Sequence, residues 1–192
     1  MNDFVLYLKL GLFHVLDWSA LDHILFLTVL VVAYNFSHWK RVLLLITLFT
    51  IGHTTSLILA NYNVVQVSSR VVEFLIPITI LIGAVYAIFT AGKSSAQTGI
   101  NILYFVTTFF GLIHGFGFAS YYKMIYGGTS LLPLLEFALG VEIAQIIITF
   151  IVLVTGFVFK TVFRFNKRDW VLVVSSIVVG LVLPMLVKNW IF

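Results

Sequence analysis

Ionisable and amide side chains interrupt several of the long apolar stretches of this chain. On insertion scales an ionisable group near the centre of a membrane helix costs roughly 2.5–3.5 kcal/mol, so each one needs a compensating role. Imidazole, carboxylate and amide donors without thiolates suit a borderline divalent metal ion such as Ni²⁺, Co²⁺, Zn²⁺ or Fe²⁺. The chain has no cysteine, and its candidate metal ligands are Asp22, His23, His53, Glu73, His114, Glu142 and Gln145.

Simpler structural roles compete for some of these residues. Asp22 follows Ser19 at the spacing of a helix capping box, and Glu73 comes within one turn of a predicted helix start. His53 and His114 lie roughly 10 Å inside their apolar stretches, where an imidazole satisfied by its neighbours is the alternative to a ligand. Glu142 also lies deep in its stretch and has few structural explanations, which favours a functional role.

The composition restricts the class of protein. Of 192 residues, 61% are hydrophobic and 9% are charged, whereas soluble domains carry about 25% charged residues. The mean hydropathy is +1.14. These values exclude a cytoplasmic enzyme and a disordered chain, and a nucleic-acid partner is excluded because no clustered basic face is present. We therefore predict a single-domain, all-α integral membrane protein with the lipid bilayer as its surroundings.

The apolar stretches predict a bundle of six transmembrane helices with a short helix in front. Residues 4–16 form an apolar run interrupted by Lys9 that is too short to span, so we expect an interfacial helix there. No basic segment precedes this run, so no signal peptide is expected. The six predicted spans are residues 20–37, 42–60, 71–90, 100–121, 132–160 and 170–187.

The basic residues predict the orientation of the bundle. Seven Lys and Arg residues lie on the side of the loops after spans one, three and five, and four lie on the other side. The positive-inside rule then places both termini outside the cytoplasm, in what we expect to be a bacterial inner membrane. With alternating spans, all six ionisable candidates fall in the same, outer half of the membrane, which favours one shared metal site.

At these positions the sequence resembles the HupE/UreJ family, membrane proteins associated with hydrogenase and urease accessory systems. The matching segments are LDHILFL, LFTIGHTTSL, VVEFLIPITI, GLIHGFGFAS and ALGVEIAQ. The family is regarded as nickel or cobalt permeases, so the resemblance implies uptake of a divalent metal ion. A His followed by a Gly shortly before the Asp-His pair is typical of the family. His14 stands eight residues before Asp22 without that Gly, so we leave its role open and outside the predicted site.

Three functions remain in competition. The first is a permease for a divalent transition-metal ion, nickel or cobalt, that uses an intramembrane His/carboxylate site. The second is an intramembrane metal-dependent hydrolase, in which a His/Asp-held metal activates water with Glu142 or Glu73 as base, although the sequence has no HExxH pair. The third is a haem protein with His53 and His114 as axial ligands. The sequence leaves the oligomeric state open, with a homo-oligomer as one option.

Overall fold

A computed structural model of the chain describes residues 3–18, 21–93, 100–126, 128 and 130–191, with the side chains of residues 100–102 and 126 excepted. The described residues form seven α-helices and no strand, which confirms the predicted all-α class. In chain order they are α1 (Asp3–Leu16), α2 (Asp22–Val31), α3 (Trp39–Asn61), α4 (Ser69–Phe89), α5 (Ile100–Tyr126), α6 (Leu132–Thr161) and α7 (Lys167–Lys188).

Five of the described helical segments are long and apolar enough to cross a membrane. They are Phe36–Asn61, Ser69–Phe89, Leu103–Ile125, Leu132–Thr161 and Lys167–Lys188, and they overlap the second to sixth predicted spans. A helix satisfies its backbone donors and acceptors internally, as a lipid environment requires. The chain is therefore an integral membrane protein.

The first predicted span, residues 20–37, is not one continuous helix. Within it, α2 covers only ten residues, about 15 Å, or half the hydrocarbon thickness of a bilayer. Asn35 adopts an extended backbone, and its side chain accepts a hydrogen bond from Lys160 of α6. A contact between distant segments thus accompanies the end of this helical stretch, and a 3₁₀ turn (Phe36–His38) follows. The count of six spans depends on α1 and α2 and stays a prediction.

The backbones of α3 and α5 touch where both helices carry glycine. A Cβ atom on Gly52 would overlap the carbonyl oxygen of Thr108, and one on Gly111 would overlap that of Phe49. Farther along α5, a Cβ on Gly115 would overlap the carbonyl oxygen of His53. Because Phe49 faces Gly111 and His53 faces Gly115, the two helices run parallel. Small residues permit this close approach in membrane helices.

The short helix α1 packs in the same manner against α6. A Cβ on Gly11 would overlap the carbonyl oxygen of Phe137, and one on Gly140 would overlap that of Leu8. Both glycines are buried. One face of α1 is therefore covered by the bundle, and its expected position at the membrane interface stays a prediction.

Candidate metal-binding site

Four histidine rings from four helices meet in one buried cluster. The His23 ring on α2 lies with its centroid 4.7 Å from that of His14 on α1, 5.9 Å from that of His53 on α3 and 5.5 Å from that of His114 on α5. His23, His53 and His114 are at most 2% exposed, and His14 is half-buried. We refer to these four residues as the histidine cluster.

Asp22 orients the His23 ring. Its Oδ1 atom lies 3.2 Å from His23 Nδ1 and also accepts a hydrogen bond from the His23 backbone N–H at 2.9 Å. A carboxylate accepts, so Nδ1 carries the proton and Nε2 presents its lone pair. Carboxylates commonly hold metal-binding imidazoles in this way. The capping-box partner proposed for Asp22, Ser19, lies outside the described residues.

A backbone carbonyl has the same effect on His114. Nδ1 of this ring lies 2.8 Å from the carbonyl oxygen of Phe110, one turn earlier on α5. Because a carbonyl oxygen can only accept, the proton is on Nδ1, and Nε2 is left with a lone pair. Two of the four imidazoles are therefore held in the tautomer that offers Nε2 as a metal ligand.

Five ring nitrogens of the histidine cluster lack hydrogen-bond partners among the described residues. The Nε2 atoms of His14, His23, His53 and His114, and also Nδ1 of His53, are buried without a hydrogen-bond partner among the residues that the structure describes. An unsatisfied buried polar atom costs about 1–3 kcal/mol, so a group of them in one place needs an explanation. A metal ion bound by one nitrogen of each ring would provide it.

The spacing of the donor atoms is close to what one ion needs. One ligand atom from each of His14, His23 and His53 can be chosen so that all lie within 4.8 Å of one another. Two nitrogens on one zinc-sized ion can be at most about 4.2 Å apart, so only a small convergence of the rings is required. The three histidines could therefore hold a metal ion.

Glu142 binds to α3 through a different set of partners. Its Oε1 accepts a hydrogen bond from Thr47 at 2.6 Å, and its Oε2 accepts one from Thr50. Both carboxylate oxygens are thus engaged by hydroxyl groups. The structure does not bring Glu142 into the histidine cluster, and Asp22 is the carboxylate that contacts it.

The two other predicted residues, Glu73 and Gln145, show no contact with the histidine rings among the described residues. Glu73 is exposed on α4, and its backbone carbonyl accepts a hydrogen bond from Asn189. Gln145 is fully buried on α6, and both polar atoms of its amide lack a partner among the described residues. Gln145 is two helical turns beyond Phe137, whose ring is 6.2 Å from that of His53. The contacts among the described residues therefore join Asp22 and the histidines, and a shared site that also includes Glu73, Glu142 and Gln145 stays a prediction.

His14 is the cluster member that the sequence analysis left out. A local signal for it exists: Gly11-Leu-Phe-His14 has the same form as Gly111-Leu-Ile-His114. In both tetrapeptides the glycine permits backbone contact with a neighbouring helix one turn before the histidine. The glycine therefore brings the following histidine toward the middle of the bundle.

The fold and the cluster define the class of protein: a helical membrane protein with imidazole donors buried between its helices. A family model described as HupE / UreJ protein matches residues 1–190. The chain belongs to the HupE/UreJ family, which comprises membrane accessory and transport proteins generally related to nickel and cobalt and is not a known enzyme family. The chain matches no curated protein and no solved structure.

Proposed function

We propose that the protein is a membrane permease for a divalent transition-metal ion, nickel or cobalt, with the histidine cluster and Asp22 as its ion site. The observation that carries this proposal is the set of four buried Nε2 atoms without hydrogen-bond partners among the described residues. The family supports the direction of the proposal, because its general role is related to nickel and cobalt.

The donor set supports a transition metal over the abundant hard cations. Mg²⁺ and Ca²⁺ prefer oxygen ligands, whereas imidazole suits Ni²⁺, Co²⁺ and Zn²⁺. Asp22 adds one negative charge beside the rings, which lowers the cost of placing a divalent cation in a low-dielectric interior. Zn²⁺ and Fe²⁺ also bind to imidazole and carboxylate donors, so the identity of the metal has to be measured.

The placement of the donors supports movement of the ion. His14 lies near the end of α1 and His23 near the start of α2, so the break between two short helices falls at the site. Interrupted helices at the binding site are typical of secondary transporters. Because the donors come from four helices, a shift of one helix removes a ligand and weakens binding, as release requires.

The metal-dependent hydrolase and the haem protein are less well supported than the permease. A hydrolase does not agree with membership of a family that is not known for enzymes. A haem needs two imidazoles separated by a wide planar macrocycle. The rings of the cluster instead pack against each other and against Phe118, whose centroid is 3.9 Å from that of His14.

The proposal does not use three of the predicted ligands at the histidine cluster: Glu73, Glu142 and Gln145. Gln145 is on the face of α6 that also carries Phe137, about 12 Å farther along the helix axis. We assign Glu142 and Gln145 to the route that an ion takes beyond the histidine cluster. Glu73 has no part in binding the ion at the cluster.

The test is metal uptake into liposomes that contain the purified protein. We expect influx of Ni²⁺ or Co²⁺ with the unaltered chain, and loss of it with His53→Ala or His114→Ala. His38→Ala is the matched control, because His38 is the one histidine of the chain outside the cluster; it should retain uptake. A protein that holds one metal ion through chelator washes but passes none would contradict the permease.

A further inference from the structure

Three phenylalanine rings close one side of the histidine cluster. The rings of Phe26 and Phe49 are stacked with their centroids 4.8 Å apart, and Phe110 lies 5.8 Å from Phe26. The centroid of His114 is 5.4 Å from that of Phe26 and 5.2 Å from that of Phe49. We call Phe26, Phe49 and Phe110 the first aromatic layer.

A second group of rings contacts His14 and His53. Phe118 and Phe137 are stacked, with centroids 5.1 Å apart and planes within 10° of parallel. Phe118 lies 3.9 Å from His14, and Tyr122 lies 5.6 Å from Phe137. We call Phe118, Phe137 and Tyr122 the second aromatic layer.

The two layers lie on opposite sides of the cluster along the helix axes. On α5, Phe110 is one turn before His114 and Phe118 is one turn after it. On α3, Phe49 is one turn before His53, and α3 runs parallel to α5. An ion that leaves the cluster along the bundle axis in either direction therefore meets an aromatic layer.

All six rings are buried, with exposed fractions between 0% and 9%. A constriction lined by apolar rings excludes water and a hydrated ion, which is how hydrophobic gates close channels. The described conformation thus encloses the imidazole donors from both sides. A bound ion would exchange its water ligands for the imidazole nitrogens and Asp22.

We propose that the two aromatic layers are the gates of the permease, one for each face of the membrane, and that the described conformation is the occluded state. This inference rests on the proposed function. Displacement of Phe118 and Phe137 would open the cluster to one face, and displacement of Phe26 and Phe49 would open it to the other. Alternate opening of the two layers would let the ion cross without a continuous pore.

The absence of cysteine from the chain permits a direct test. In His53→Cys the single thiol replaces a side chain that is 0% exposed. A membrane-impermeant thiol reagent is applied to intact cells for one face and to inverted membrane vesicles for the other. This reaction reports access to the cluster and does not require metal transport, so the gates and the permease can fail separately.

We expect slow labelling of His53→Cys from both faces. Adding Phe118→Ala should raise the labelling rate by about tenfold from one face, because the open state becomes more populated. Adding Phe49→Ala should raise it similarly from the opposite face alone. Phe159→Ala is the control: its ring packs 5.2 Å from Trp170, in a separate buried group, and its loss should leave labelling slow.

The same design with His114→Cys as the reporter repeats the test if the first reporter does not fold. The gates are refuted if Phe49→Ala and Phe118→Ala raise labelling from the same face, or from both faces equally. They are also refuted if neither substitution raises the rate above that of the Phe159→Ala control.

Discussion

At the scale of single residues, the tautomer of each histidine decides what the cluster can bind. Asp22 and the Phe110 carbonyl hold the protons of His23 and His114 on Nδ1, so the lone pair of each ring is on Nε2. A proton and a metal ion compete for the same lone pair, which makes metal affinity depend on pH. Binding should therefore weaken as the solution becomes acidic.

His14→Ala tests the candidate ligand that only the structure identified. We expect the affinity for Ni²⁺ to fall by at least about 10–100-fold. That is the loss found when a group that holds a metal ligand in place is removed, and His14 is proposed to bind the ion directly. His23→Ala should cause a comparable loss, and His38→Ala should cause none. Equilibrium binding to the purified protein measures all three. Unchanged affinity in His14→Ala would remove this residue from the site.

Thr50→Val tests whether Glu142 belongs to the histidine cluster. Valine has nearly the shape of threonine but cannot donate, so one Glu142 oxygen loses its partner, at a cost of about 1–3 kcal/mol of stability. We expect a lower melting temperature in detergent with nearly unchanged Ni²⁺ affinity. Thr55→Val is the control, because the Thr55 hydroxyl donates to the Ile51 carbonyl of its own helix and to nothing else among the described residues. A large loss of affinity in Thr50→Val would return Glu142 to the ion site.

At the scale of helices, two glycine contacts hold the donors in place. The α3–α5 contact positions His53 and His114, and the α1–α6 contact positions His14. Without a hydrophobic driving force in lipid, helices associate through close packing of small residues. The arrangement of the cluster thus depends on residues that never touch the ion.

Gly11→Ala tests the contact between α1 and α6. The added methyl group would overlap the Phe137 carbonyl, and overpacking of this kind costs about 1–3 kcal/mol. We expect a lower melting temperature together with weaker Ni²⁺ binding, since His14 moves with α1. Gly180→Ala is the matched control: a Cβ there meets nothing within 4 Å, so stability should be equal or slightly higher. Equal behaviour of the two variants would contradict the role of this contact.

At the scale of the whole molecule, the charge distribution predicts the orientation. Val64 and Phe163 are exposed, in the connections after α3 and α6. With both termini outside the cytoplasm, Val64→Cys should react with an impermeant thiol reagent added to intact cells, whereas Phe163→Cys should react only in inverted vesicles. The reverse pattern would show that the basic residues do not set the orientation of this chain.

Much of the architecture could be predicted because it depends on local properties. Apolar length and internal hydrogen bonding make each long stretch a helix, and residues such as His53 and His114 stand out by type alone. The end of α2 at Val31 could not be predicted from these local properties. Asn35 leaves the helix with its side chain bound to Lys160, which is 125 residues away in the chain.

The sequence by itself determined the five long apolar helices, the membrane environment and most of the cluster's imidazoles. Only the tertiary structure decided which carboxylate accompanies them, with Asp22 beside His23 and Glu142 bound to Thr47 and Thr50. Helical periodicity specifies which residues share a face but not which neighbouring helix that face meets. That choice follows from the glycine contacts between helices, and the same contacts brought His14 from a short N-terminal helix into the site.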